Sequence, residues 1–79
     1  MSNKIKLIWD FRGPDAAKIA AHHEIHLKEY INIEQHKITI TGHKIINEVY
    51  ATAFMVVTKE DMIPVRDALK PHRGEVYTE

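Results

Sequence analysis

Between residues 48 and 58 the chain is apolar at both parities of an extended strand. Val49, Ala51, Ala53, Met55 and Val57 fall on one side; Tyr50, Thr52, Phe54 and Val56 fall on the other. A strand with one wet face alternates, whereas a strand apolar on both faces is central and covered twice. This segment therefore demands a sheet with neighbours on either side of it. The whole chain has only 79 residues with which to build those layers.

The remaining segments supply them. Residues 4–11 alternate cleanly, with Ile5, Leu7, Trp9 and Phe11 on one face and Lys4, Lys6, Ile8 and Asp10 on the other. That spacing predicts a strand with one buried face. Gly13-Pro14-Asp15 reads as a helix start, because proline fits the first helical position and an acid suits the positive end of the helix dipole. The helix is expected over 14–31, with Ala16, Ile19, Ala20, His23, Leu27, Tyr30 and Ile31 on its apolar side. A second strand is expected over 36–41, with Ile38 and Ile40 on one face, followed by a turn at Gly42-His43-Lys44. Asp61 as N-cap accommodates Pro64 in a second helix over 62–70, whose apolar stripe is Met62, Val65 and Leu69. Pro71 stops that helix, and residues 75–78 make a short last strand.

Length and composition narrow the class. The chain is expected to be a single domain over 1–79, with no linker, repeat or low-complexity segment. A domain of this size buries only roughly 60–65% of the surface of its unfolded chain, so a staple or partner is expected. There are no cysteines, which excludes disulfides, thiolate metal clusters and a thiol nucleophile. Eleven Lys and Arg balance eleven Asp and Glu, a charge that offers no overall field for nucleic acid or an anionic membrane. Neither is expected as a partner. The first residues lack the apolar core of a signal peptide, and no apolar run is long enough to span a bilayer, so a cytoplasmic location is expected.

The order β-α-β-β-α-β resembles the ferredoxin-like sandwich. That resemblance implies an α+β fold, a four-stranded antiparallel sheet with two helices on one face. The first and third strands are expected to sit centrally, in parallel. The open face would carry Ile8, Thr39 and one set from the third strand, either Phe54 and Tyr50 or Met55 and Val57. A half-apolar open face on so small a chain predicts a homodimer formed through it.

Two groups within that fold share further features. Asp10-Phe11-Arg12-Gly13 after the first strand, followed by a helix and Ile31-Asn32-Ile33-Glu34, resembles ACT-type ligand-binding modules. That resemblance implies that Gly13 lets backbone approach an effector at a dimer interface, although Pro14 removes a donor from such a loop. His23-Glu24-Ile25-His26-Leu27, with the stretch 53–77, resembles the YciI-like dimeric α/β barrel proteins. There the resemblance implies an acid–base histidine, His23 or His26, with Asp10 as its partner.

Histidine is the outstanding residue type, with six in the chain and three on the first helix. His23 points into the apolar face, where a core histidine needs a hydrogen-bond partner and burial favours its neutral form. A general base at the seam between helix and sheet is the functional alternative. His22 and His26 are spaced i, i+4, and with Glu29 on the same stripe they form a candidate set for Zn²⁺ or Ni²⁺. The same stripe also reads as a solvated face with local ion pairs. His36, His43 and His72 flank turns and strand ends and are expected to be solvated. Trp9 and Phe11 share the core face with Leu7, so they read as core and not as a base-stacking sheet.

The leading expectation is a homodimeric module that binds a small molecule or effector and does no chemistry, with no cofactor. Its ligand would be held by Asp10, Arg12, Gly13 and His23, with Arg12 on an anionic group and Asp10 on an amine or hydroxyl. The alternatives are a dimeric α/β barrel-type enzyme using His23 or His26 with Asp10, and a metal-binding domain using His22, His26 and Glu29.

Overall fold

A computed structural model describes residues 4–34 and 40–77. The elements run β1 (Lys4–Arg12), α1 (Ala16–Glu34), β2 (Thr41–Asn47), β3 (Tyr50–Thr58), α2 (Lys59–Leu69) and β4 (Arg73–Val76). The sheet order is β2-β3-β1-β4, antiparallel throughout. This is the ferredoxin-like topology. The two central strands run antiparallel, not in parallel as expected. The reason is connectivity: a hairpin reverses the chain between β2 and β3, and β2 itself arrives by a helical crossover in the direction of β1.

The odd positions of β1 build the core. Leu7 and Trp9 pack with Ala53, Met55 and Val57 of β3, Leu27 and Ile31 of α1, and Val65 of α2, with Ile5, Phe11, Tyr30, Met62 and Leu69 around them. The expected stripe of α2 is therefore the one that faces the sheet. Trp9 also donates its indole N–H to the Leu69 carbonyl at 3.0 Å, tying β1 to the end of α2. Near its start α1 touches the sheet through alanines, Ala16 and Ala20 against Ala51. Small side chains allow that close approach, and Ile19, expected in the core, is left 46% exposed at its margin.

Phe54 and Tyr50, and not Met55 and Val57, lie on the open face, because Met55 pairs with core-facing Leu7 and Phe54 with Ile8. The turn expected at 42–44 is instead mid-strand. Gly42 lies opposite Phe54, and a Cβ there would stand 2.5 Å from the Phe54 Cε2 atom, so the glycine makes room for a ring rather than for a bend. The turn falls at Glu48 and Val49, where the Asn47 side chain accepts the Val49 N–H at 2.8 Å. Residues 36–39 of the expected second strand lie outside the described residues. The edge strand β2 is fastened to α1 by Glu24, which contacts His43 Nδ1 at 2.6 Å and accepts from Thr41 Oγ1 at 3.2 Å. Those bonds, led by His43, hold the Glu24 carboxyl below its ordinary range.

Helix α2 begins earlier than expected, and its N-cap is Thr58, not Asp61. Thr58 Oγ1 accepts the Asp61 N–H at 3.2 Å. Pro64 thus sits in the second turn, where it supplies no N–H to the Glu60 carbonyl. Lys70 closes the helix in the left-handed region, φ 49°, with its N–H on the Arg66 carbonyl. β4 also starts earlier than expected, at Arg73. Among the described residues, no helix is long and apolar enough to cross a membrane.

The capping geometry makes a direct prediction. Thr58→Ala should lower stability by about 1 kcal/mol, read from the urea midpoint, because one orphan N–H loses its acceptor.

Candidate functional site

The even positions of β1 leave the sheet on the side that no helix covers. Asp10 is the hub of a polar cluster there. Arg73 grips it with two hydrogen bonds, Nε to Oδ2 and Nη2 to Oδ1, each 3.1 Å. Tyr50 donates its hydroxyl to Oδ1 at 2.5 Å. The register explains the convergence. Tyr50 lies opposite Arg12 and Arg73 opposite Ile8, so both are diagonal neighbours of Asp10, from strands on either side. Arg12 stacks its guanidinium 4.2 Å from the Tyr50 ring centre. His72, just before β4, accepts the Asp10 backbone N–H on Nδ1 at 2.8 Å. Its own N–H goes to the Ile8 carbonyl. It therefore extends the β1–β4 pairing with a side chain.

The electrostatics follow from this geometry. The Arg73 hydrogen bonds, then the Tyr50 hydroxyl, hold the Asp10 carboxyl below its ordinary value against the opposing pull of desolvation. A carboxylate so saturated with donors is a weak base and serves as an anchor. It orients Arg73, which remains 51% exposed, and Tyr50. The outcome is two guanidinium groups flanking one phenol on an open face.

An open cavity of about 440 Å³ lies on the other, helix-covered side of the sheet, beside the β4 edge. It exists because α2 packs on β3 and β1 and makes no contact with β4. Ile5, Leu7, Met62 and Val76 line it, with Arg66, His72 and Arg73 also on its walls.

Of the residues expected to form one pocket, Asp10 and Arg12 share the open face. His23 does not join them. It lies on the helix-covered face, its ring centre 4.9 Å from that of Trp9 and 5.3 Å from that of Phe11. Strand alternation sends Asp10, which sits between those two residues, the other way. Gly13 ends β1 with φ 116°, a conformation that favours glycine, and its N–H is taken by the Val49 carbonyl at 2.8 Å. His22 and His26 face each other on the outward side of α1, with Glu29 beside His26. Tyr50, His72 and Arg73 were not expected among the site residues. The signal for Tyr50 was its parity with Phe54. Arg73 and His72 could be placed only once β4 was known to start at Arg73.

The His23 Nε2 atom is buried and has no hydrogen-bond partner among the described residues. The expected satisfied core histidine is therefore a dissatisfied one. Burial, with smaller effects from His26, His72 and His22, pushes the imidazole below its ordinary value.

Two predictions follow from these environments. His23→Phe keeps a ring against Trp9 and Phe11 and removes the orphaned nitrogen, so the urea midpoint should rise, by about 1 kcal/mol in stability. Asp10→Asn should lower stability at neutral pH. A depressed carboxyl contributes stability that is fully present above its unfolded value, about 3.9, and lost as pH falls through the folded value. Urea midpoints of the wild type and Asp10→Asn should therefore converge as the pH is taken from about 7 to about 3.

No family model, no curated protein and no solved structure matches this chain.

Proposed function

We propose that the domain is a non-catalytic module that binds a small anionic molecule on its open sheet face, between Arg12 and Arg73, and that a second copy of the chain closes over it. The observation that carries this reading is the Asp10-anchored cluster. A bidentate carboxylate holds one guanidinium in place, a phenol holds another by stacking, and both remain at the surface. Arginine in such a fork matches carboxylate and phosphate oxygens geometrically.

Charge links the ligand to the dimer. Register places Lys4, Lys6, Arg12, Lys44 and Arg73 on the open face against Asp10 and Glu75. The face also shields its own apolar groups: Ile8 and Val56 are buried without a helix over them, and the Lys6 ammonium rides 4.4 Å over the Phe54 ring. Two such basic faces repel one another unless anions lie between them. Ligand binding and dimerisation are therefore coupled. The acid–base reading through His23 or His26 with Asp10 has no support in the geometry, since the histidines are carried by a helix on the other side of the sheet.

The test is a thermal-shift and sedimentation screen of the whole chain against inorganic phosphate, amino acids, and mono- and dicarboxylates. At least one should raise the melting temperature with concentration and move the protein from monomer towards dimer. Arg12→Gln, a change at an exposed residue, should abolish the shift without unfolding the protein. No shift with any anion, or an equal shift in Arg12→Gln, would refute the proposal.

A further inference from the structure

The outward face of α1 carries a second constellation, independent of the open sheet face and on the far side of the helical layer from it. His22 and His26 present their Nε2 atoms to one another at 2.9 Å, with ring centres 4.5 Å apart and the planes inclined at 80°. Two explanations compete for this geometry. In a straight N–H···N hydrogen bond along both ring axes, the ring centres would stand about 5.2 Å apart for that nitrogen separation. The observed centres are nearer, so at least one ring axis is turned away from the line between the nitrogens. An imidazole nitrogen lies about 1.15 Å from its ring centre, and if both axes turned equally in one plane they would meet roughly 2 Å beyond each nitrogen, the length of a Zn–N bond.

Glu29 Oε1 lies 3.7 Å from Nδ1 of His26, on the opposite edge of the ring from the convergent Nε2. At that distance Glu29 makes no hydrogen bond to the ring and is a nearby negative charge behind it. This differs from the sequence expectation, in which Glu29 was a third ligand. Among the described residues no group of three donors gathers at one point. The helix offers two nitrogens, and the rest of the coordination shell is open to water or to an incoming ligand.

We propose that His22 and His26 chelate a divalent transition cation through their Nε2 atoms, with Glu29 adding a nearby negative charge behind His26. Neutral imidazole is a borderline ligand, which selects Zn²⁺, Ni²⁺ or Cu²⁺ and passes over Mg²⁺ and Ca²⁺. The spacing makes the site a property of the helix itself. Residues i and i+4 are neighbours on one face, and a 19-residue helix packed against the sheet holds them in register.

Calorimetric titration of the untagged whole chain with Zn²⁺, with Mg²⁺ as control, tests this. Zn²⁺ should bind with one-to-one stoichiometry and shift the imidazole nitrogen resonances of His22 and His26, while Mg²⁺ should do neither. His22→Ala and His26→Ala should each abolish binding. Glu29→Gln removes only a solvent-exposed charge and should weaken binding by less than about 10-fold. All three positions are exposed, so the metal-free variants should melt close to the wild type, which separates loss of the site from loss of the fold. Absence of Zn²⁺ binding, or wild-type affinity in either histidine variant, would overturn the proposal. None of these outcomes depends on the anion site, whose residues lie on other elements.

Discussion

Everything in this molecule hangs on the pleat of β1. The strand lies inside the sheet between β3 and β4, and successive side chains leave it in opposite directions. Leu7 and Trp9 go into the larger hydrophobic core, while Asp10 and Arg12 go to the uncovered face. A shift of one residue in register would bury the charged set and expose the apolar set. The same alternation thus secures the core and concentrates the polar cluster. It also separates Asp10 from His23, which touch opposite sides of the same strand.

The consequences spread outwards from there. Trp9 reaches the end of α2 by its indole N–H, so the helix is tied to the strand as well as packed on it. Arg73 and His72 reach back to Asp10 from the beginning of β4, and Tyr50 reaches it from β3. Asp10 is therefore a junction of three strands. Glu24 does the equivalent for the outer edge, joining β2 to α1 through His43 and Thr41. In a chain without cysteine, these polar clamps take the place of covalent cross-links at the margins of a small core. Bonds of this kind contribute modestly one at a time, but removing one partner leaves the other unsatisfied.

Residues whose environment is local were legible. The alternation of Ile5, Leu7, Trp9 and Phe11 marked a half-buried strand, and the i, i+3, i+7 spacing of Met62, Val65 and Leu69 marked the inner side of α2. The i, i+4 pair His22 and His26 was visible for the same reason. Glycine misled where its role was tertiary, and threonine, correctly placed at the end of β3, had a second role there. Gly42 looked like a turn because glycine favours bends, yet its function is to leave space for Phe54. Thr58 was read as the end of a strand, and only the path of the chain shows its hydroxyl capping α2. His72 and His43 looked like solvated histidines near turns, and each proves to have a partner more than a dozen residues away in the chain.

The sequence by itself determined the order of the elements, the core-facing side of β1 and α2, and the helical histidine pair, because periodicity is a local property of the backbone. It also determined what chemistry was excluded, through composition. The tertiary structure alone decided which side of β3 faces the open sheet surface, and that Tyr50 and Arg73 converge on Asp10. It also decided that His23 and Asp10 never meet. Those outcomes depend on strand register and on the neighbours each strand acquires, and pairing between residues far apart in the chain leaves no periodic trace along it.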